Sequence, residues 1–385
     1  MTDTTAIPLY VNGPVQNGVF SLASAPGKAV GIRLAAALNA LTGQAPVAHL
    51  WNTVTLAGDQ RHRTAHRQDF PGLPRAEREA RQIAAKYTPG PLPQSGVLTD
   101  ADPAVAVLAR TVLEDLLAHG TVRLEEDTVH LCARCGHMTG TGACRACGAA
   151  QALPARRRLL THLLADAPGL PLEPEDFHAF RARPPAQLLH AARDVPDRLL
   201  LCRTRAHGIR LGWLGLDDAF VLDPRTGLHL ACLAAAHHRG AARPVMALTD
   251  GPAAHIAAYG APVRRFRGTQ LRYLLHGRIP YDPPLLDQSF GIHRLAPELR
   301  EPFTHWYLPL CAARERAGIS PARLPALVKF WRRAHLRRPD HPDPSIRAEV
   351  ASAAARGDFR WVTDISALPH VLPTRPPHRG RAPRR

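Results

Sequence analysis

The chain has 385 residues, 45% of them hydrophobic, with 28 Gly and 37 Pro, enough for two or three domains around an ample core. No apolar run reaches the roughly 18 residues of a membrane span, and Met1 to Pro8 has neither the basic nor the apolar region of a signal peptide, which predicts a cytoplasmic protein with no membrane partner. A formal charge of +17 invites a polyanion such as RNA, but only Lys28, Lys86 and Lys329 are lysines, and an arginine-, alanine- and proline-rich profile also follows from GC-rich coding bias.

Residues 5–20 read as a short strand around Tyr10 and Val11 that enters a turn at Asn12 and Gly13. Lys28 to Leu41 follows with helical spacing (Val30, Leu34, Leu38, Leu41) and Gly43 as its stop, and Val47 to Leu56 alternates like a second strand. Strand, turn, helix and strand make a βαβ unit, whose turn lies where α/β sheets place ligands. There is no Gly-x-Gly-x-x-Gly, and Gly27-Lys28 lacks the partner glycine and Ser/Thr of a phosphate loop.

Arg61 to Arg67 is basic and His-rich, Pro74 to Tyr87 has helical spacing, and Thr88 to Thr99 reads as a loop. Asp102 and Pro103 open a helix with the stripe Val105, Leu108, Val112, Leu113, Leu116, closed by Gly120. Thr121–Leu124, an acidic turn Glu125-Glu126-Asp127, and Thr128–Leu131 predict a hairpin. Helices are expected at Ala155–Asp166 and, briefly, around Phe177 and Leu188; strands at Leu199–Thr204, Ile209–Leu214 and Ala219–Asp223. A helix at Leu228–His238, a strand at Val245–Leu248, a helix at Pro252–Tyr259, a strand at Val263–Phe266 and a helix at Gln270–His276 resume the α/β alternation. From about 285 the pattern is helical, including Leu324–Leu336 and Pro344–Arg356, and Thr374–Arg385 reads as a disordered basic tail.

The most specific signal is Cys132-Ala-Arg-Cys135-Gly136 followed by Cys144-Arg-Ala-Cys147-Gly148. Each Cys-x-x-Cys turn sets two sulfurs on one side of a tight loop, and the glycine lets backbone N–H groups face them. Two such knuckles supply a closed S4 site suited to structural Zn²⁺, with no open position for catalysis. Cys202, Cys232 and Cys311 are isolated and odd in number, which argues for a reducing compartment.

In order, these features resemble a class I aminoacyl-tRNA synthetase of the methionyl type. Tyr10-Val-Asn12-Gly13-Pro-Val-Gln16-Asn17-Gly18-Val19 is similar to the family's opening strand and His-x-Gly-His turn. The helix ending at Gly120, the hairpin and the double knuckle resemble its zinc-bearing connective domain, and Gln270 to Tyr281 resembles a helix that follows its catalytic loop. The resemblance spans about residues 5–285. It implies a Rossmann-like parallel sheet interrupted by a zinc-knuckle insertion and followed by a short helical region. The implied division is 1–100 and 196–284 for the two halves of the catalytic domain, 101–195 for the insertion, 285–370 for the helices and 371–385 for the tail. It also implies ATP as cofactor, a nucleotide or amino-acid site at Tyr10, Asn12, Gly13, Gly18 and Asp59, and tRNA or another RNA as partner.

The departures fall on chemistry. The two signature histidines are replaced by Gln16 and Val19, and no lysine stands between Lys86 and Lys329 to form a Lys-Met-Ser-Lys-Ser loop before Gln270. Losing one transition-state donor costs about 3–4 kcal/mol, so no residue among Gln16, Asn17, Gly18 and Val19 is expected to sustain conventional adenylation. Leu230 and Cys232 stand near the expected amino-acid pocket without its Trp and Asp. Three functions follow: a synthetase paralogue that binds a nucleotide, amino acid or RNA without aminoacylating; an ATP-dependent ligase with a rebuilt site; or a zinc-ribbon nucleic-acid-binding protein. Trp331 with Arg332, Arg333, Arg337 and Arg338 offers either an RNA-facing stripe or a core aromatic beneath a solvated face.

Overall fold

A computed structural model describes residues 7–14, 30–44, 49–51, 97–99, 102–140, 142–144, 147–164, 172–179, 195–204, 208–241, 243–251, 253–279, 283–315 and 318–373. The expected helix at 74–87, the short helix near Leu188 and the tail from 374 lie outside these residues. In chain order come β1 (Leu9–Asn12), α1 (Val30–Leu41), β2 (His49–Trp51), β3 (Val97–Thr99), α2 (Pro103–Ala118), β4 (Val122–Cys132), β5 (Ala152–Leu163), β6 (Arg198–Leu200), β7 (Cys202–Thr204) and β8 (Phe220–Leu222). Next are α3 (Pro224–His238), β9 (Pro244–Thr249), α4 (Ala253–Gly260), β10 (Arg265–Phe266), β11 (Thr269–Gln270) and β12 (Arg272–His276). The last part holds α5 (Pro283–Ile292), α6 (Pro297–Pro302), a π-helical turn (Phe303–Tyr307), α7 (Leu308–Arg314), α8 (Leu324–Leu336), α9 (Pro344–Ala355) and α10 (Leu368–Val371).

The organising element is the parallel sheet β1-β9-β12, in which Tyr10 lies opposite Val245 and Val245 opposite Arg272. These strands are apolar on both faces, as a sheet covered by helices on both sides requires. Val11, Met246, Leu248, Tyr273 and Leu275 enter one core with α2, α3 and α4. Tyr10, Val245, Ala247 and Leu274 enter a second core with α1 and the helices from Leu286 to Leu372. The helical part is therefore the cover of one sheet face. The parallel pair β2-β3 extends this layer, because β2 lies beside β1. Val97–Thr99, expected to close a loop, is the strand β3.

Where the structure departs from the sequence reading, long-range pairing is the cause. Ala155–Asp166 was expected to be helical, and 121–131 a hairpin. Instead β4 is one continuous strand paired antiparallel with β5 from Val122–His162 to Cys132–Ala152. The register sets Glu126 opposite Arg158 and Asp127 opposite Arg157, so the acidic run meets an arginine run instead of turning. On one face Arg198 Nη2 reaches Glu125 at 3.0 Å and its Nη1 reaches Asp127 at 2.6 Å. Ile209–Leu214 is not a strand: only Arg210 bridges to Val221, and Gly212–Leu214 is a 3₁₀ turn ended by Gly215 at φ 72°. The segment around Phe177 is a 3₁₀ turn (Pro174–Asp176) that delivers Phe177 into a parallel bridge with Tyr273.

The largest correction concerns Gln270–His276. It is not a helix: Gln270 closes the β10–β11 hairpin and Arg272–His276 is a strand of the parallel sheet. Arg267 and Gly268, at φ 45° and 79°, make the two-residue turn of that hairpin. Burial against helices on both sides decides in favour of strand, since Tyr273 and Leu274 are 1% and 3% exposed on opposite faces. Trp331 is a core residue with Nε1–H donating to Leu299 O at 3.1 Å, and Lys329, Arg332, Arg333 and Arg337 form the solvated face of α8. No described helix is long and apolar enough to cross a membrane.

Four imidazoles are packed into this interior as neutral groups. Burial holds His178, His229 and His276 down at about 4, and burial plus the charge of Arg33 holds His305 at about 3. An unfolded histidine titrates near 6.5, so between about 6.5 and 4 the unfolded chain binds more protons than the native one. Stability is therefore expected to be full above that window and to fall as pH drops through it, each fully buried imidazole contributing on the order of 3 kcal/mol. Urea-unfolding midpoints measured across this range check it, and a flat profile would refute it.

Candidate ligand site and metal centre

The C-terminal ends of the parallel strands converge on a small set of groups. Asn12 ends β1, 2% exposed, with Nδ2–H donating to Gly13 O at 3.0 Å. Gly13 N–H donates to Ala247 O at 2.8 Å, and a Cβ on Gly13 would stand 2.3 Å from that oxygen. Only glycine lets the chain leave β1 this close to β9. Beside it, α1 begins at Val30, and an added Cβ on Gly31 would sit 3.5 Å from both Ala247 O and His276 Nε2. The imidazole of His276, at the end of β12, is 3.1 Å from Gly277 O through Nδ1. Assigning the proton to Nδ1 on that contact leaves Nε2 as a neutral acceptor facing the first turn of α1. A helix start, a buried amide and a neutral imidazole at the carboxyl ends of parallel strands form the kind of place where α/β folds hold anionic ligands.

Of the residues expected from sequence, Asn12 and Gly13 stand here. Gln16, Asn17, Gly18, Val19 and Asp59, and with them Lys28 and Arg61–Arg67, lie outside the described residues. Tyr10 points its ring into the helical core: its hydroxyl donates to Ala354 O at 2.8 Å and lies 2.9 Å from His178 Nε2. Its backbone is held by the Asn39 side chain, which accepts from Tyr10 N and donates to Tyr10 O, at 3.0 and 2.8 Å. Leu230 and Cys232 are fully buried in α3, where burial pushes the Cys232 thiol up. Their neighbour His229 accepts from Tyr273 O–H at 2.9 Å while its Nδ1–H donates to Arg225 O at 2.7 Å. Sequence reasoning missed Gly31 and His276; the available signal was His276-Gly277 at the end of an apolar run, masked by the helical assignment.

The four cysteines meet at the tip of the β4–β5 ribbon. The two knuckles repeat one geometry: Cys132 N–H donates to His137 O and Gly136 N–H to Cys132 O; Cys144 N–H donates to Ala149 O and Gly148 N–H to Cys144 O. Gly136 and Gly148 take φ of 68° and 77°, the left-handed backbone this turn requires. The four sulfurs lie within 4.8 Å of one another, with Cys132–Cys147 at 3.5 Å and Cys135–Cys144 at 3.6 Å. Those spacings exceed a disulfide bond of about 2.05 Å and approach the roughly 3.8 Å edge of a tetrahedron with sulfurs about 2.3 Å from zinc. Backbone N–H groups of Cys135 and Arg134 bring the Cys132 thiol down to about 6, whereas burial and the neighbouring thiols push Cys135 up to about 12. Four sulfurs this close together fit a divalent cation, whose binding releases thiol protons.

No family model matches the chain, and no curated protein sequence matches it. The likeness lies in the fold: a mixed α/β core with a parallel sheet and covering helices, similar to that of two solved structures. Methionyl-tRNA synthetase of Mycobacterium tuberculosis, in complex with methionyl-adenylate, aligns over 94% of this chain and 81% of its own, with a TM-score of 0.50 and 12% identity. A second structure of that enzyme, bound by methionyl-adenylate, aligns over 94% and 82%, at a TM-score of 0.50 and 11% identity.

Proposed function

We propose that this chain is a methionyl-type class I synthetase paralogue that binds a nucleotide or aminoacyl-adenylate-like ligand but does not carry out conventional aminoacylation. The binding half rests on the site at the ends of β1, β9 and β12, together with the methionyl-adenylate of the two solved structures that share the fold. The loss of chemistry rests on one observation: no lysine occurs between Lys86 and Lys329, so the catalytic loop has no cation of that type. In this reading Asn12 orients the turn after β1, the first turn of α1 receives a phosphate, and His276, neutral at physiological pH, accepts a hydrogen bond without adding charge. Residues 1–100 and 196–284 are the two halves of the nucleotide-binding unit, 101–195 the metal-bearing insertion and 285–370 the helical region.

Cys132, Cys135, Cys144 and Cys147 would hold Zn²⁺, which supplies no chemistry beyond closing the ribbon tip, because four thiolates fill its tetrahedron. The ligase reading is kept by the same convergence of Asn12, Gly31 and His276, which an active site would also need. ATP–pyrophosphate exchange with a panel of amino acids separates the two. The expected result is no exchange above background, with ATP or an adenylate analogue still raising the thermal midpoint. Robust exchange with any amino acid would overturn the non-catalytic reading.

A further inference from the structure

Arg278 stands two residues past β12, at the same strand ends as the ligand site. Backbone pairing fixes the step from one to the other. His276 lies opposite Thr249, and Asp250 N–H donates to His276 O at 3.2 Å. Gly251 follows directly, and a Cβ on it would lie 3.3 Å from Arg278 Nη2. The guanidinium therefore leans back from β12 over the end of β9, the middle strand, in the direction of β1. His276 is the common neighbour: its ring faces Gly31 in α1, and its carbonyl is bonded by Asp250.

The main chain beneath this side chain is held on both sides. Gly277 N–H donates to Ala312 O at 2.9 Å, and Ile319 N–H donates to Arg278 O at 2.9 Å. Gly318, at φ 95°, packs so closely that a Cβ there would lie 2.9 Å from that same oxygen. The Arg278 side chain is exposed, and among the described residues it makes no ion pair and no hydrogen bond. Glu315, whose carbonyl packs against Gly277, is committed elsewhere: its carboxylate takes Arg323 at 2.6 Å and Arg314 at 3.4 Å.

Charge arithmetic at the strand ends shows what this residue adds. The start of α1 supplies about half a positive charge. Asn12 is neutral, and burial holds His276 down at about 4, neutral as well. Asp250, beside Gly251, adds a carboxylate. Without Arg278 these groups sum to no net attraction for an anion, so the helix start alone does not hold a phosphate there.

We propose that Arg278 is the phosphate-binding cation of the ligand site, and that the ligand is a nucleotide whose phosphate lies between this guanidinium and the first turn of α1. The assignment rests on the nucleotide reading above and adds to it the group that receives the negative charge. A guanidinium fork matches two phosphate oxygens at once, which an ammonium does not. No lysine occurs between Lys86 and Lys329, so the cation at this end of the sheet comes from the end of a strand. A bound nucleoside without a phosphate gains nothing from it.

Isothermal titration of the full chain with AMP and with adenosine tests this, since the two differ only in the phosphate. The parent protein is expected to bind AMP more tightly than adenosine. Arg278→Gln should weaken AMP about tenfold, the loss of one charge-assisted pair, and leave adenosine unchanged. Arg278→Lys, which keeps the charge without the fork, should lose less. Arg278 is exposed, so both variants are expected to fold, and an unchanged thermal midpoint without ligand checks that. Equal loss of AMP and adenosine in Arg278→Gln overturns the assignment in favour of a packing role. Parental AMP affinity in that variant also overturns it, and leaves the nucleotide site standing. Binding of neither ligand by the parent overturns the nucleotide reading, and the assignment of Arg278 falls with it.

Discussion

Purified protein is expected to carry one zinc ion per chain, and Cys144→Ser to lose it together with the ordered tip of the ribbon. Cys144 is 3% exposed, and its sulfur faces Cys135 at 3.6 Å, so a serine there removes a thiolate that no neighbour replaces. Apparent binding energies for structural zinc in small peptides reach about 10–16 kcal/mol. Here much of the loss stays local, because the far half of the β4–β5 ribbon is anchored independently: Val122, Leu159 and Leu160 sit in the core with α2. Hydrogen exchange should therefore accelerate at Gly136, Cys144 and Gly148, whose amides close the knuckles, while the β1-β9-β12 sheet keeps its protection. A chelator should reproduce the effect, more readily as pH falls, since protons compete for the same sulfurs. Metal-free protein with the same exchange pattern and the same midpoint would show that the knuckles hold themselves, and the zinc assignment would fail.

Gly13→Ala is expected to be the most damaging single-methyl change at the ligand end of the sheet. The added carbon would lie 2.3 Å from Ala247 O and 2.6 Å from Leu248 Cδ2. The first of these is backbone in a central strand and has nowhere to move. Either β1 separates from β9 or the Gly13–Ala247 hydrogen bond breaks, so a cost of about 3 kcal/mol or more is expected from overpacking plus a lost backbone bond. Gly31→Ala is the control. Its Cβ would meet Ala247 O and His276 Nε2 at 3.5 Å, an ordinary contact, and alanine is preferred over glycine inside a helix by about 1 kcal/mol. That variant should fold at least as well as the parent but bind nucleotide less well, because the methyl occupies space beside His276. Chemical-denaturation midpoints read the first effect and ligand-induced thermal shifts the second. A G13A protein with parental stability would mean that β1 is not docked on β9 in this register.

How far the residues alone reached can be judged element by element. Periodicity located α1, α2, α3, α8 and α9, because each helix carries its own apolar stripe and its own stop, and both are local. The cysteine pairs gave the four-thiol cluster, since a knuckle is closed by hydrogen bonds within six residues, such as Cys132 N–H to His137 O. Asn12 and Gly13 were also visible, as a polar end to an apolar strand. What the chain could not show was anything fixed by a distant partner. Ala155 to Leu163 reads as a helix until Glu126 and Asp127 are set opposite Arg158 and Arg157. Arg272 to His276 reads equally well as a turn of helix until Val245 to Thr249 lies beside it. A short apolar run has no conformation of its own; the strand or helix is chosen by whichever neighbour buries it. The same reason hid His276, whose surroundings exist only because tertiary packing lays strands side by side from segments more than two hundred residues apart, as Tyr10 and Val245 are.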